Sequence, residues 1–497
     1  LQGHGISTLF AVRIYKKYGE KAIGIVRDNP YQLANDFYGI GFFSADKVAL
    51  SLGLAPDSDQ RLSAAVRHVL AAGRDQGHCY LTFPQIAAEA EHLLGFDPET
   101  RLESILKTME AENQLRVRLL HHVDGENRTC YYSKSLYYDE TFVANRIRGM
   151  LQKISIDERS VEKWINGYCG QRNVELSSEQ ASAVQSVVTN EFSVLTGGPG
   201  CGKTTTTLVI VRLLEHLRKK VLLAAPTGRA AQRMSEVIDR EAKTLHRLLE
   251  FQHGGFLRNE EQPLKADFLI VDECSMLDIS LTASLLKAVP IGCQVLFIGD
   301  ADQLPSVGAG NVLRDIIGSG VVPSFRLTKI FRQARESKII DYAHQINTGV
   351  TPHIESPFKK PSIWKEKTDC LFIDSDEATQ EQLTFIKRVK HFYDLKSEQL
   401  ARELSSDSLY EFRTEENILS SYEQDFVIPK KLQHVDLQKV QQAKGYVEEL
   451  KSVLAKVHPW STLHYGFSAV DAVVRLYLEW IPKYYGSGCE IQILSPM

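Results

Sequence analysis

The segment Gly197-Gly198-Pro199-Gly200-Cys201-Gly202-Lys203-Thr204 constrains this chain more than any other. The apolar run Phe192-Ser193-Val194-Leu195-Thr196 precedes it, and Thr205-Thr206-Thr207-Leu208-Val209-Ile210-Val211, which reads as a helix, follows it. A strand, a glycine-rich turn and a helix opening on Lys-Thr make a phosphate cradle. The glycines let main-chain N–H groups converge, and the helix N-terminus adds positive potential. Lys203 is expected to reach the β- and γ-phosphates, and the Thr204 hydroxyl to bind Mg²⁺. The expected nucleotide contacts are Gly198, Pro199, Gly200, Cys201, Gly202, Lys203 and Thr204, with Thr205 beside them.

Partners for this cradle lie downstream. Phe268-Leu269-Ile270-Val271 is a short, fully apolar run of the kind that forms a buried parallel strand, and it ends in Asp272-Glu273. Asp272 at the strand tip is expected to hold the Mg²⁺, and Glu273 to polarise an attacking water as general base. Val295-Leu296-Phe297-Ile298 reads as a further strand opening into Gly299-Asp300-Ala301-Asp302-Gln303-Leu304-Pro305, and Val221 to Ala225 as another running into Pro226-Thr227-Gly228-Arg229. Open α/β sheets bind ligands outside the carboxyl ends of their strands, so four strands deliver four polar loops to one rim.

The ordered set GGPGCGKT, APTGRAA, TLHRLL, VDECSM, GDADQLPSVGAG and LTKIFRQ, spanning Gly197 to Gln333, resembles superfamily-one DNA helicases, and more closely their RecD-like branch with an amino-terminal extension. The resemblance implies a RecA-like P-loop α/β core, ATP with Mg²⁺, and movement 5′ to 3′ on single-stranded DNA towards duplex junctions. It implies that Gln180 reads the adenine edge, that Gln303 senses the γ-phosphate, and that Arg332 reaches that phosphate from beside the cleft. A guanidinium suits the last role because it neutralises charge spread over the equatorial oxygens. Pro226, Thr227, Gly228 and Arg229, and then Thr244, His246 and Arg247, match loops that touch the DNA strand. Two other readings stay open: a motor subunit with protein partners in a recombination complex, and an ATP-switched DNA-binding protein.

At 497 residues several domains are expected. No stretch approaches the ~18 apolar residues of a spanning helix, and no signal-peptide pattern opens the chain. None of the eight cysteines forms a C-x-x-C pair, so neither a zinc module nor a disulfide framework is indicated, and a cytoplasmic setting fits. The net charge of −4 gives no global attraction for DNA, which leaves locally basic loops to supply it.

Residues 1–56 hold two glycine pairs, Gly3-His4-Gly5 and Gly39-Ile40-Gly41, each ahead of a helical pattern. They resemble helix–hairpin–helix units, whose helix-start N–H groups grip a DNA phosphate without reading sequence. The chain opens inside this motif, so native sequence is expected before Leu1. Residues 57–150 show helical patterns at 62–70, 85–94 and 102–109 and then a hairpin signal around Asp124-Gly125, together a winged-helix-like region. The first RecA-like domain is expected over 151–350. Over 351–497 the pattern suggests a partial second one. Its first strand would be Leu371 to Asp374, followed by a charged helical insertion at 377–457, an amphipathic helix at 468–479 and a strand at Glu490 to Leu494. The later helicase blocks have no counterpart here.

Overall fold

The computed structural model describes residues 8–37, 39–121, 127–252, 255–331 and 337–355, and short stretches between 362 and 494: 362–363, 366, 368–372, 384–394, 428, 432–433, 435–444, 449, 452–453, 473–474, 476–486 and 488–494. The chain divides into two compact units, Leu1–Arg335 and Glu336–Met497. The division falls ahead of the boundary expected near residue 350.

Four short helices open the first unit: α1 (Thr8–Tyr18), α2 (Ala22–Asp28), α3 (Gln32–Asp36) and α4 (Phe42–Ser51). Between α3 and α4 the chain turns through Gly39, whose φ of +94° lies in the region that only glycine adopts freely. This is the second of the two expected hairpins. The first, at Gly3 to Ile6, lies outside the described residues. The helices close on Ile14, Val26, Leu33, Phe37 and Val48.

Next come α5 (Asp59–Asp75), β1 (Tyr80–Thr82), α6 (Phe83–Leu94), α7 (Glu99–Ala111), β2 (Leu115–His121), β3 (Asn127–Ser133) and α8 (Lys134–Gly149). The three helices and the hairpin are those expected. The structure adds β1, which pairs with β3 to give an antiparallel sheet in the order β1-β3-β2. Three residues are too few to print an alternating pattern in the sequence. The expected break at 56 is a turn, with Ser58 N–H donating to the Ala55 carbonyl, yet the core runs across it. Phe42 and Ala45 of α4 pack in one cluster with Leu62 and Val66 of α5. Arg61 meets Asp46 in a two-pronged pair, Nε to Oδ1 at 2.8 Å and Nη2 to Oδ2 at 2.9 Å, and the Tyr31 hydroxyl also donates to Asp46.

The remainder of this unit is a sandwich about a six-stranded sheet. Its elements are α9 (Glu158–Arg172), α10 (Ser178–Val188), β4 (Phe192–Gly197), α11 (Lys203–His216), β5 (Val221–Ala225), α12 (Gly228–Ile238), β6 (Ala242–Thr244), α13 (Leu245–Leu248), the small hairpin β7 (Phe251–Gln252) and β8 (Gly255–Phe256), β9 (Phe268–Val271), α14 (Ile279–Ala288), β10 (Gln294–Gly299), α15 (Val312–Gly318) and β11 (Ser324–Leu327). The sheet order is β11-β4-β10-β9-β5-β6, and every pairing is parallel. Strands β4, β9 and β10 are buried along their whole length, because helices cover both faces. Alternate residues feed different cores, as a period of two requires. Phe192, Val194, Leu269, Val271, Val295 and Phe297 pack with α8, α14 and α15, whereas Leu195, Phe268, Ile270, Leu296 and Ile298 pack with α9 to α12. The winged region is tied to this core: Arg146 of α8 donates to the Val289 carbonyl at 2.8 Å, and Gly310 N–H donates to Gly77 O at 3.0 Å.

The described residues of the second unit hold helices, including Lys338–Asn347, Leu437–Gln442 and Ile481–Tyr485, and a small core of Phe385, Ile386, Val389, Tyr393, Leu432, Val435, Val440 and Val453. No strand occurs among them, which corrects two expectations. Leu371 and Phe372 are not in a strand, while Ile373 and Asp374 lie outside the described residues. Glu490 to Leu494 does not form a strand, and Ile493 and Leu494 are exposed. An apolar run becomes a strand only where a neighbour accepts its ladder of hydrogen bonds. Of the amphipathic pattern at 468–479 the structure describes 473–474, which are helical, and the end, where Leu476–Trp480 forms one wide turn ahead of Ile481–Tyr485. Among the described residues no helix is long and apolar enough to cross a membrane.

Candidate nucleotide site

The loop between β4 and α11 is shaped by two glycines in left-handed backbone, Gly200 at φ +77° and Gly202 at φ +78°. Gly202 is also hemmed in. A Cβ there would meet Gln180 Nε2 at 2.4 Å and the Phe331 ring at 3.0 Å. Gly197 is as tight, its absent Cβ falling 2.7 Å from the Leu327 carbonyl oxygen. Strain and crowding therefore both demand glycine. Pro199 and Gly200 form the turn after Gly198, Cys201 is buried, and Lys203 Nζ donates to the Gly197 and Gly198 carbonyls at 2.5 and 3.1 Å. The lysine ammonium thus lies within the bend of the loop, at the head of α11.

Thr204 of α11, Asp272 and Glu273 at the end of β9, and Arg233 of α12 line one cavity of about 70 Å³, with Thr207 and Met234. Thr205 lies exposed on α11, apart from these lining residues. The two acids follow directly from the strand: Asp272 N–H donates to Ala224 O of β5, and Glu273 N–H donates to Asp272 Oδ1 at 2.9 Å. Glu273 takes the uncommon left-handed backbone at φ +55°, which redirects the chain as it leaves the sheet.

Burial pushes the Asp272 carboxyl above the ordinary carboxylate range, against the pull of Lys203 and Arg233. Burial and then the neighbouring Asp272 push Glu273 up as well, and Lys203 and Arg233 again oppose the shift. Ionising Glu273 therefore costs folding stability. The contribution of its protonated form is complete below the usual glutamate value and is lost as pH rises through the raised one. A base with an upward-shifted pKa sits closer to neutral, where proton abstraction is most efficient. Hydroxyl and carboxylate oxygens suit a hard cation such as Mg²⁺. Among the described residues no group of three or more His, Cys, Asp or Glu is placed to hold a metal ion.

Gln180 is 1 % exposed and doubly engaged. Its Oε1 accepts from Ser177 N–H at the start of α10, and its Nε2 donates to Gly202 O at 3.2 Å, so the side chain ties that helix to the cradle. Gln303 lies exposed in the turn after β10, its N–H donating to Asp300 O. Arg332 lies outside the described residues. The residue before it, Phe331, donates its N–H to Gly200 O at 3.3 Å, so the chain leading to Arg332 is docked on the cradle.

Pro226 to Arg229 follow β5, and Thr244 to Arg247 run from the last residue of β6 into α13, so both segments emerge at the same sheet edge as the cradle. The two threonines have local work. Thr227 accepts from Ala230 N–H and Thr244 from Arg247 N–H, capping α12 and α13. Gly228 and Arg229 are exposed, as are His246 and Arg247, and the His246 ring lies 5.5 Å from Phe251 and 5.6 Å from Phe256. Reasoning from the sequence missed Phe331, Arg233 and β11. Phe331 and Arg233 belong to quoted or adjoining blocks, but neither residue type announces a neighbour across the fold.

The sheet, cradle and acidic strand tip define a P-loop protein with a RecA-like parallel core. Comparison with known proteins agrees. The family profile for the ATP-dependent RecD2 DNA helicase HHH domain matches residues 1–80, and that for an AAA domain matches 180–309. The chain is 36 % identical to the ATP-dependent RecD2 DNA helicase of Deinococcus radiodurans over 364 residues, 71 % of this chain and 49 % of that protein. It is 39 % identical to the RecBCD enzyme subunit RecD of Mycobacterium tuberculosis over 163 residues, 28 % of each chain. The Pif1 helicase of Candida albicans overlaps 44 % of this chain and 54 % of its own at 23 % identity, with a TM-score of 0.31. The chain resembles the RecD-like, amino-terminally extended branch of superfamily one, and it spans about half the length of the RecD2 relative.

Proposed function

We propose that this chain carries the ATP-hydrolysing core of a DNA helicase or translocase that moves 5′ to 3′ on single-stranded DNA towards duplex junctions, in repair or recombination. One observation carries the reading: Thr204, Asp272 and Glu273 line a single cavity at the head of the helix that bears Lys203. In this reading the loop amides and Lys203 bind the triphosphate tail, Thr204 and Asp272 hold Mg²⁺, and Glu273 takes the proton of the attacking water. The cation, when bound, neutralises charge on the phosphate oxygens. The Phe331 ring beside Gly202 offers an apolar surface that suits a purine, while Gln180, the adenine reader by resemblance, is buried with both ends of its amide on main chain. Pro226, Thr227, Gly228 and Arg229, with Thr244, His246 and Arg247, form the strand-binding rim, which a chain of net charge −4 requires to be local. The glycine hairpin before α4 adds a phosphate grip.

ATP turnover of the chain is expected to rise when single-stranded DNA is added. A basal rate indifferent to DNA would contradict the motor reading and leave an ATP switch. The pH profile offers a second check. With Glu273 shifted upwards, the acid limb of turnover is expected above the roughly 4.3 of an unperturbed glutamate. Arg233→Met removes a cation that favours the carboxylate, so the limb should move to still higher pH. A limb unmoved by that substitution would show that another group sets it.

A further inference from the structure

Glu179 lies in the first turn of α10, and its carboxylate reaches away from its own helix. Oε2 accepts from Thr328 N–H at 2.8 Å and from Lys329 N–H at 3.3 Å, and Oε1 accepts from the Thr328 hydroxyl at 2.5 Å. The Thr328 hydroxyl, with the two main-chain donors, holds the carboxyl below the ordinary carboxylate range. Thr328 and Lys329 follow β11, the edge strand of the sheet, so they have left the ladder and have no strand neighbour to receive their N–H groups.

The segment captured in this way lies over the phosphate loop. Leu327 crowds Gly197, Phe331 N–H reaches Gly200 O, and the Phe331 ring closes on Gly202 beside the Gln180 amide. Glu179 and Gln180, adjacent on α10, therefore secure the loop in two ways: Gln180 holds Gly202 directly, and Glu179 holds the chain that covers it. We propose that Glu179 is a positioning residue, latching Thr328–Phe331 onto the cradle and so fixing the wall beside Gly202. Nothing in the glycine-rich motif itself calls for this residue. The inference rests on the cradle being a triphosphate site.

The test uses the chain as it stands, titrated with a fluorescent ATP analogue and Mg²⁺, with ATP kinetics alongside. Glu179→Ala is expected to weaken nucleotide binding and raise KM roughly three- to tenfold, the scale of a partly exposed contact that reaches the site only through the Thr328–Phe331 segment, with kcat changed less than about threefold. Glu179→Gln keeps an acceptor oxygen and should recover binding to within about twofold. Thr328→Val alone should weaken binding about twofold, and adding it to Glu179→Ala should cost nothing further, because the two act through one contact. Thermal unfolding midpoints should stay together, and if Glu179→Ala fails to fold, Thr328→Val and Glu179→Gln still decide the matter. Wild-type affinity in Glu179→Ala, or no rescue by glutamine, overturns the latch. Lys203→Ala runs in the same titration: if it loses binding while Glu179→Ala does not, the cradle stands and the latch falls. If Lys203→Ala binds normally, the triphosphate reading itself has failed.

Discussion

Lys203→Ala is expected to lower the affinity for ATP by roughly a hundredfold, the equivalent of about 3 kcal/mol for a lost ammonium contact shared by two phosphates. Lys203 is the cation built into the loop, its Nζ within 3.1 Å of two loop carbonyls. Among the described residues Arg233 is the other cation lining the adjoining cavity, but it comes from α12 and sits with the acids rather than in the loop. It does not replace an ammonium at the head of α11. The loop should survive the substitution, because Gln180 still holds Gly202 and Phe331 still holds Gly200. Affinity by equilibrium titration should therefore fall while the unfolding midpoint does not, and unchanged affinity would contradict the cradle.

Glu273→Gln should separate binding from turnover. Glutamine matches glutamate in shape but abstracts no proton, so ATP should bind as before while hydrolysis drops by ~10²–10⁴, the range for positioned bases. The electrostatics add a second signature. Burial and Asp272 both disfavour the Glu273 carboxylate, so neutralising it removes a like-charge cost. The variant should melt at the same temperature as the parent or higher at neutral pH. Single-turnover hydrolysis equal in the two proteins would remove Glu273 from the chemistry and favour a nucleotide switch.

How much of this was legible in the residues follows physical lines. Strands β4, β9 and β10 were readable because burial on both faces demands continuous apolar runs, and Phe192 to Thr196 or Phe268 to Val271 meet that demand without help from context. The cradle was readable because Gly200 and Gly202 occupy backbone that other residues adopt only under strain. Ser324 to Leu327 was not readable as a strand. It is a half-exposed edge whose identity comes from pairing with β4. Glu490 to Leu494 failed in the opposite direction, having strand composition without forming a strand. At the site, Asp272 and Glu273 were marked by standing at the end of an apolar run. Glu179, Arg233 and Phe331 owe their places to contacts across the fold, which no local spacing records. Thr227 and Thr244 show that one residue can satisfy two readings, since each caps a helix on the loop expected to meet DNA.

The central claim is that the glycine loop and the acidic strand tip form one triphosphate site. A crystal structure of the chain with Mg²⁺ and a non-hydrolysable ATP analogue tests it most directly. The account predicts the terminal phosphates against the loop amides and Lys203, with the cation between Thr204 and the Asp272 side. A nucleotide bound elsewhere, or Asp272 and Glu273 turned away from the phosphates, would contradict it.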